Sequence, residues 1–536
     1  MSPHTDRGGP HGYLRPEVKL EPLVFRWPVW PHLIAPATYA MNVAFRHLPA
    51  LKSFINNPSV HAAAARNPAM LGSQFLSLPA SAVAAVRALE QAMANHCAPL
   101  LSFAKDFKQL DRMLGDTAKG FRLDEFYAQL PPALAGVVEL VYDLNNHPHV
   151  KIMEELLYES FPAMTHSREL CLRKISQRER AFFMSTPLMD GDDKLFIEMD
   201  FDDPRIDELA AARIHADSPM RLGGRLGLEP QKALLFSEMF TRQPPVRQQP
   251  HYAGEQVRLR YFGHACVLLQ TAGISLLIDP LTAWERDSQE ASLTFNDLPD
   301  FIDYVVISHP HADHLVAETL LQLRRRIGTI VVPRNDRGNL ADPSVRLMLQ
   351  QLGFTSIQAL EPFESLPLPD GEILSLPFLG EHAGLDIMSK QSLAVRLKGR
   401  NLLFLVDSDG VDLALYERMS RRIGAVDILF IGMECHGAPL TWLYGPLLSG
   451  TLSRRDDDSR RLSGSDCAKA WGIVETLACP RVFLYAMGQE PWLQHLMGLA
   501  YQPDSVQLQE TDRFLERCHA GGVTAERLYG CREMLL

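Results

Sequence analysis

Several absences bound this 536-residue sequence before any motif is read. There is no surplus of basic charge: 53 Lys and Arg stand against 64 Asp and Glu, a formal net charge of -11. A protein that wraps nucleic acid needs a basic stripe for the phosphates, so no nucleic-acid partner is expected. Basic amphipathic segments that would hold the chain to anionic lipid are missing as well. No run of about 18 uninterrupted apolar residues occurs, which argues against a transmembrane helix and a membrane partner. The opening stretch MSPHTDRGGPHGYLRPEVKLEP lacks an apolar h-region. No secretory leader is therefore expected, and the expected compartment is cytoplasmic. Cysteine is sparse, eight residues at 97, 171, 266, 435, 467, 479, 518 and 531, with no C-x-x-C pair. A disulfide scaffold needs a small, Cys-dense secreted chain, so reduced thiols are expected. No tandem repeat is visible, and no flavin, haem or iron–sulfur motif.

What is present is ample apolar material, 46% of residues, in a chain long enough for three or four domains at about 150 residues each. Residues 1–25, rich in Pro, Gly and His, read as a poorly ordered arm. From 26 to 240 the pattern is mainly helical, with amphipathic stretches at 77–107, 132–144, 150–161, 166–184 and 205–215. One strand-like piece, DKLFIEMDF (193–201), interrupts them. A Pro- and Gln-rich linker, TRQPPVRQQPHYAGEQ (241–256), separates this domain from a strand-rich region over 257–500. Residues 501–536 read as a C-terminal helical segment. VRLRYFGHACVLLQ and ISLLIDPL, joined by TAG, predict a hairpin. Later apolar runs alternate with helical segments, which predicts an α/β fold with helices on the outer faces of its sheets.

The chemistry concentrates in SHPHADHL, which sets His309, His311, Asp313 and His314 directly after the strand DYVVIS. Four potential ligands within six residues, on a loop leaving a buried strand, are costly to desolvate unless something binds them. Further acids fall at corresponding strand ends: Asp407 in RNLLFLVDSDG, Glu381 with His382 in EILSLPFLGEHAG, and Asp279 in ISLLIDP. Each alone reads as a turn or cap residue; together they form a cluster converging on one rim.

H-x-H-x-D-H after a strand, the preceding G-H-A-x-V-L…LLIDP hairpin and a later strand ending in Asp resemble the metallo-β-lactamase superfamily over about 257–500. The resemblance implies a C-terminal αββα sandwich, joined to the mainly helical N-terminal domain, with a dinuclear metal site between the sheet edges. It implies His309 and His311 on one metal, Asp313 and His314 on the other, and Asp407 between them. Asp279 would support the ligand loop through hydrogen bonds. Two departures stand out. Glu381 occupies the slot where the family has a third His, and the last strand, PRVFLYAMGQEPW, does not end in His. His436, after AVDILFIGM, is the expected replacement on the second metal, with Glu434, Glu490 and His495 as alternatives. His264, in YFGHACV, is expected near the site and joins Glu381 and Asp407 as a candidate catalytic group.

Exchanging imidazole for Glu hardens the ligand set, which favours iron or manganese over zinc. Total length, domain order, the H-x-H-x-D-H loop and that Glu together resemble the diiron β-hydroxylases that act on carrier-bound amino acids, as in chloramphenicol biosynthesis. This narrower resemblance implies two iron ions, O₂ as co-substrate, and β-hydroxylation of an amino acid tethered as a thioester to a nonribosomal peptide synthetase carrier domain. It implies an external electron donor, and an N-terminal domain that forms a homodimer and docks the carrier. The alternative is a dinuclear zinc or manganese hydrolase of a phosphodiester, lactone or thioester. Two further motifs stay open. RWPVWPHLIAP (26–36) fits either subunit contact or core packing. Arg324, Arg325 and Arg326 fit a solvated face or a carrier contact.

Overall fold

A computed structural model describes residues 11–67, 70, 74–161, 167–175, 181–284, 291–498 and 500–536. Its C-terminal half is built on two seven-stranded sheets. The first runs Ile357–Leu360, Ile327–Pro333, Ile302–Val306, Ser275–Ile278, Cys266–Gln270, Arg258–Gly263, Arg532–Leu535. The second runs Ser365–Leu368, Gly371–Leu376, Ser392–Leu397, Arg400–Phe404, Ile428–Ile431, Arg481–Leu484, Thr524–Arg527.

The two-residue period of a strand assigns each side chain to a face. Leu276, Ile278, Leu402, Phe404, Ile428 and Phe430 point into the space between the sheets. Their neighbours Leu403, Leu405, Leu429 and Ile431 pack outward against helices Leu413–Ile423, Cys467–Leu477 and Val506–Ala520. On the first sheet Leu277, Val305 and Ile330 pack outward against Ala317–Leu323 and Val345–Gln351. Nearly continuous apolar runs are what strands covered on both faces require, and the result is the expected αββα sandwich. The predicted hairpin is present, with Cys266–Gln270 antiparallel to Ser275–Ile278.

Three expectations about organisation are corrected. The arm at 1–25 is not loose over its described part, because Val18–Val24 is a wholly buried strand. It sits in an antiparallel sheet ordered Trp27–Pro28, Val18–Val24, Arg168–Lys174, Lys194–Glu198. The helices expected within 132–144 and 166–184 are strands over Val138–Tyr142 and Arg168–Lys174, and strand Pro148–Ile152 takes the start of the 150–161 stretch ahead of helix Glu154–Ser160. Val138–Tyr142 and Pro148–Ile152 make a hairpin, its turn tied by the Asp143 carboxylate accepting from the Asn145 and His147 amides. The C-terminal segment carries a helix, Val506–Ala520, but also adds an edge strand to each large sheet. The N-terminal half keeps its long helices, notably Val83–His96 and Ala98–Thr117.

The two halves share one hydrophobic core. Leu20, Trp30 and Leu51 belong to the same buried cluster as Leu277, Leu320 and Leu443. Buried ion pairs cross the same boundary: Lys19 Nζ lies 2.6 Å from Glu318 Oε2, on the helix that follows the H-x-H-x-D-H loop. Arg324 and Arg326 are not a solvated face. Arg324 pairs with Asp207 of the N-terminal half, and buried Arg326 donates to the Leu298 and Pro299 carbonyls. Among the described residues, no helix is long and apolar enough to cross a membrane.

Candidate metal centre

Strands Ser275–Ile278 and Ile302–Val306 run parallel, as do Arg400–Phe404 and Ile428–Ile431. Their carboxyl ends open on one edge of the sandwich, and the chemistry-bearing residues leave the sheets there. The backbone is strained where it turns: His264, Asp279, Glu381, Val406 and Ala486 all have φ between +42° and +64°. Such left-handed conformations in non-glycine residues persist where the surroundings impose them, and they cluster at functional sites.

Asp279 organises the loop, as expected. Its Oδ1 accepts from the Ser308 amide (2.7 Å), and its Oδ2 from the Ser308 hydroxyl (2.6 Å) and His314 Nδ1 (2.9 Å). Because the Ser308 hydroxyl proton is committed to Asp279, its oxygen accepts from His309 Nδ1 at 3.0 Å. Both imidazoles are thereby oriented with Nδ1 donating to the supporting groups and Nε2 turned toward the site, the tautomer and orientation a metal ligand needs.

Those lone pairs converge on the carboxylates. His309 Nε2 lies 3.9 Å from Glu381 and 3.7 Å from Asp407, and His314 Nε2 lies 3.0 Å from Asp407 and 3.6 Å from Asp313. His311 Nδ1 approaches Glu381 at 2.6 Å. His309, His311 and Glu381 lie close enough to share one ion, and so do His309, His314 and Asp407. The Nε2 atoms of His309, His311 and His314, with Glu381 Oε2 and Asp407 Oδ1, are buried without a hydrogen-bond partner among the described residues. Buried polar atoms are almost always satisfied, so this group of orphans around the H-x-H-x-D-H loop fits a pair of metal ions.

The electrostatics agree. Burial alone would raise Asp313, but His314 and His264 hold its carboxyl well below the usual range. Burial likewise opposes ionisation of Glu381, and His311 and His382 outweigh it. Asp407 is pushed up, by burial first, with Glu381 and Asp313 adding to it against the pull of His314. Crowded carboxylates of this kind are stabilised by cations. Acidic donors mixed with imidazole suit iron and manganese at least as well as zinc.

His264 sits behind the ligands. The Gly488 amide donates to its Nδ1 at 3.1 Å, so the proton resides on Nε2 and is donated to Asp313 Oδ2 at 2.9 Å. Although His264, Asp313 and His314 lie close enough to share an ion, this proton placement makes His264 a positioning group for Asp313. Glu490 is buried behind it, accepting from the Tyr261 hydroxyl and the His264 amide. The turn after Arg481–Leu484 thus reaches the site through backbone: the Ala486 amide donates to the His264 carbonyl.

His436 is a correction. The chain turns after Glu434, leaving the His436 ring exposed beside Arg461 and Asp458. Glu434 instead faces the acidic cluster. Burial, then Asp313, Asp407 and Glu381, hold its carboxyl well above the usual range, with the Tyr501 hydroxyl as a hydrogen-bond partner. His495 is buried away from the ligands, its Nδ1 3.1 Å from the Trp492 carbonyl. His382 lies beside Glu381, and burial lowers its ring to about 4. Ser308, Tyr261 and Tyr501 were not singled out in the sequence. Only Ser308 carried a local signal, as the residue joining strand to His309.

Residues 258–433 match the β-lactamase superfamily domain, and the sandwich with its edge cluster is of that class. Residues 13–244 match the diiron non-heme β-hydroxylase N-terminal domain. The chain is 33% identical, over 98% of its own length and 99% of the relative's, to the 4-amino-L-phenylalanyl-[CmlP-peptidyl-carrier-protein] 3-hydroxylase of Streptomyces venezuelae. The crystal structure of CmlA, a diiron β-hydroxylase from Streptomyces venezuelae, superposes with a TM-score of 0.91 at 33% identity, covering 98% of this chain and 99% of that one. A mutant of the CmlA β-hydroxylase gives 0.89, again at 33% identity, covering 98% and 100%. The chain belongs to the diiron β-hydroxylase family, whose catalytic domain has the metallo-β-lactamase fold.

Proposed function

We propose that this protein hydroxylates the β-carbon of an amino acid held as a thioester on a nonribosomal peptide synthetase carrier domain, using O₂ and two iron ions. The overall change converts one C–H bond to C–OH and reduces the second oxygen atom to water, consuming two electrons and two protons. Those electrons require an external donor. The reading is carried by Glu381 among unpartnered, buried imidazole nitrogens in a chain of diiron-hydroxylase ancestry.

In this reading His309, His311, Glu381, Asp313, His314 and Asp407 would hold the two iron ions. A reduced iron pair would supply the electrons that activate O₂. The protein's own work is to set geometry and protonation. Asp279 and Ser308 hold the Nδ1 sides of His314 and His309, which turns their Nε2 atoms toward the carboxylates, and His264 orients Asp313. Burial of the cluster excludes bulk water from the reacting carbon. A homodimer formed through the N-terminal half belongs to the same proposal. Phe121 and the hairpin-tip residue Leu144, both exposed apolar side chains of that half, support it. Eight free thiols support a cytoplasmic location.

The test is a single turnover. Iron-loaded, reduced protein is mixed with an aminoacyl carrier domain and O₂, and the intact carrier is weighed. A gain of one oxygen atom on the aminoacyl group is expected. Release of free amino acid by zinc- or manganese-loaded protein, without oxygen insertion, would instead establish a hydrolase.

A further inference from the structure

The H-x-H-x-D-H loop, here the metal loop, leaves the first sheet after Ile302–Val306, and the turn carrying Glu381 leaves the second after Gly371–Leu376. One short segment ties the two together. Gln391, just ahead of strand Ser392–Leu397, donates its amide to the Ser308 carbonyl at 2.9 Å and its side-chain amide to the Ile307 carbonyl at 3.0 Å. The segment is thereby pinned to the base of the metal loop. On its other flank the Asp342 carboxylate accepts from the Met388 amide at 2.6 Å. Lys390 lies between these anchors and reaches across to the Glu381 turn, where its Nζ donates to the Gly380 carbonyl at 3.2 Å.

That turn needs holding. Gly380, Glu381, Ala383 and Gly384 have φ of +76°, +64°, +54° and +73°, and left-handed residues in such number persist only where their surroundings impose them. A Cβ on Gly380 would clash with Asp409 Cβ, so no other residue fits there. The Glu381 amide donates to the Ser463 carbonyl and Arg460 donates to the Ala383 carbonyl. Lys390 completes the set from the side of the metal loop.

A hydrogen bond to a carbonyl does not require a charge. Lys390 is half-buried, and among the described residues its ammonium forms no ion pair. It faces Glu381, Asp342 and Asp386 at longer range, and its charge also reaches His309 and His382. Removing an ammonium from water without a close partner costs free energy that a neutral amide donor would avoid. The charge therefore points to an electrostatic role at the centre. Reduction lowers the positive charge of a metal pair, and a fixed cation nearby favours the lower-charged state; groups behind the ligands tune metal potentials in this way.

We propose that Lys390 is a positioning residue of the metal centre, holding the Glu381 turn through the Gly380 carbonyl and favouring the reduced state of the bound iron pair through its charge. The proposal rests on the iron reading of that centre. It suits an enzyme whose electrons arrive from a separate donor, because a pair that is easier to reduce accepts them more readily.

The experiment titrates the iron-loaded full chain anaerobically with a chemical reductant and mediators, follows the absorption of the oxidised pair, and counts iron per chain. Lys390→Gln keeps a donor for the Gly380 carbonyl but removes the charge. It is expected to bind two irons and to raise the oxidised-to-reduced ratio at a fixed potential about tenfold, a fall of about 59 mV in midpoint for a one-electron step. Lys390→Arg, which keeps the charge, is expected to titrate like the unsubstituted protein. Loss of iron from Lys390→Gln but not from Lys390→Arg would also support the proposal, since it makes charge the requirement. An unchanged midpoint in Lys390→Gln, or the same shift or iron loss in both variants, overturns it, while the hydroxylase reading stands on the unsubstituted protein. An unsubstituted chain that takes up no redox-active iron overturns both.

Discussion

At the residue scale, the site depends on who donates to whom. Asp279 holds His314 Nδ1 directly and His309 Nδ1 through Ser308. Asp279→Ala is expected to weaken metal binding about 10- to 100-fold, as loss of a partner behind a ligand does. Titration of the metal-free protein with ferrous iron reads this. His436→Ala is expected to leave two irons per chain, because that ring is exposed beside Arg461 and Asp458. A second titratable feature lies away from the centre. Glu154 is raised to about 7, chiefly by burial, with Asp342 and Glu155 adding and the Ser344 amide opposing. The native state holds a proton that the unfolded chain, titrating near 4.5, releases. Its stabilising contribution is therefore full below about pH 4.5 and lost as pH rises through about 7. Glu154→Gln should flatten the fall in melting temperature across that window. The ligand loop was legible in the sequence because H-x-H-x-D-H packs its donors into six residues, and Glu381 because it is the first charge beyond an apolar run. His436 was misread because strand ends are visible in a sequence but the direction of the following turn is not. Here the turn sends Glu434 toward the acids and His436 outward.

At the scale of elements, the sandwich strands announced themselves as long apolar runs, since each is covered on both faces. The N-terminal strands did not. Arg168–Lys174 mixes charged residues with buried Leu170, Cys171 and Leu172, and within its amphipathic surroundings it reads as helix. Val18–Val24 buries Lys19 and Glu21, so its polarity concealed a core strand whose charges are neutralised by Glu318 and Arg173 from distant segments. Strands Thr524–Arg527 and Arg532–Leu535 are four residues each and too polar to stand out, yet they close one edge of each large sheet. A chain ending at residue 522 would leave both of those edges unpaired, and unpaired edges seed aggregation. Such a truncation is expected to appear in the insoluble fraction or the void volume of a sizing column, while the full chain elutes as a discrete species.

At the scale of the whole molecule, the acidic surplus, a net charge of -11, has one of its concentrations at the sandwich edge. Asp279, Asp313, Glu381, Asp407 and Glu434 gather there among the histidines of the H-x-H-x-D-H loop. The N-terminal half is more than an appendage: it shares the core and fixes the helix behind the metal loop through Lys19. The most direct test follows the oxygen itself. Reduced, iron-loaded protein is given an aminoacyl carrier and heavy-isotope O₂ in ordinary water, and the β-hydroxyl oxygen is weighed. The account predicts the heavy isotope in that hydroxyl with the thioester intact; a light oxygen derived from water, or a carrier stripped of its amino acid, would contradict it.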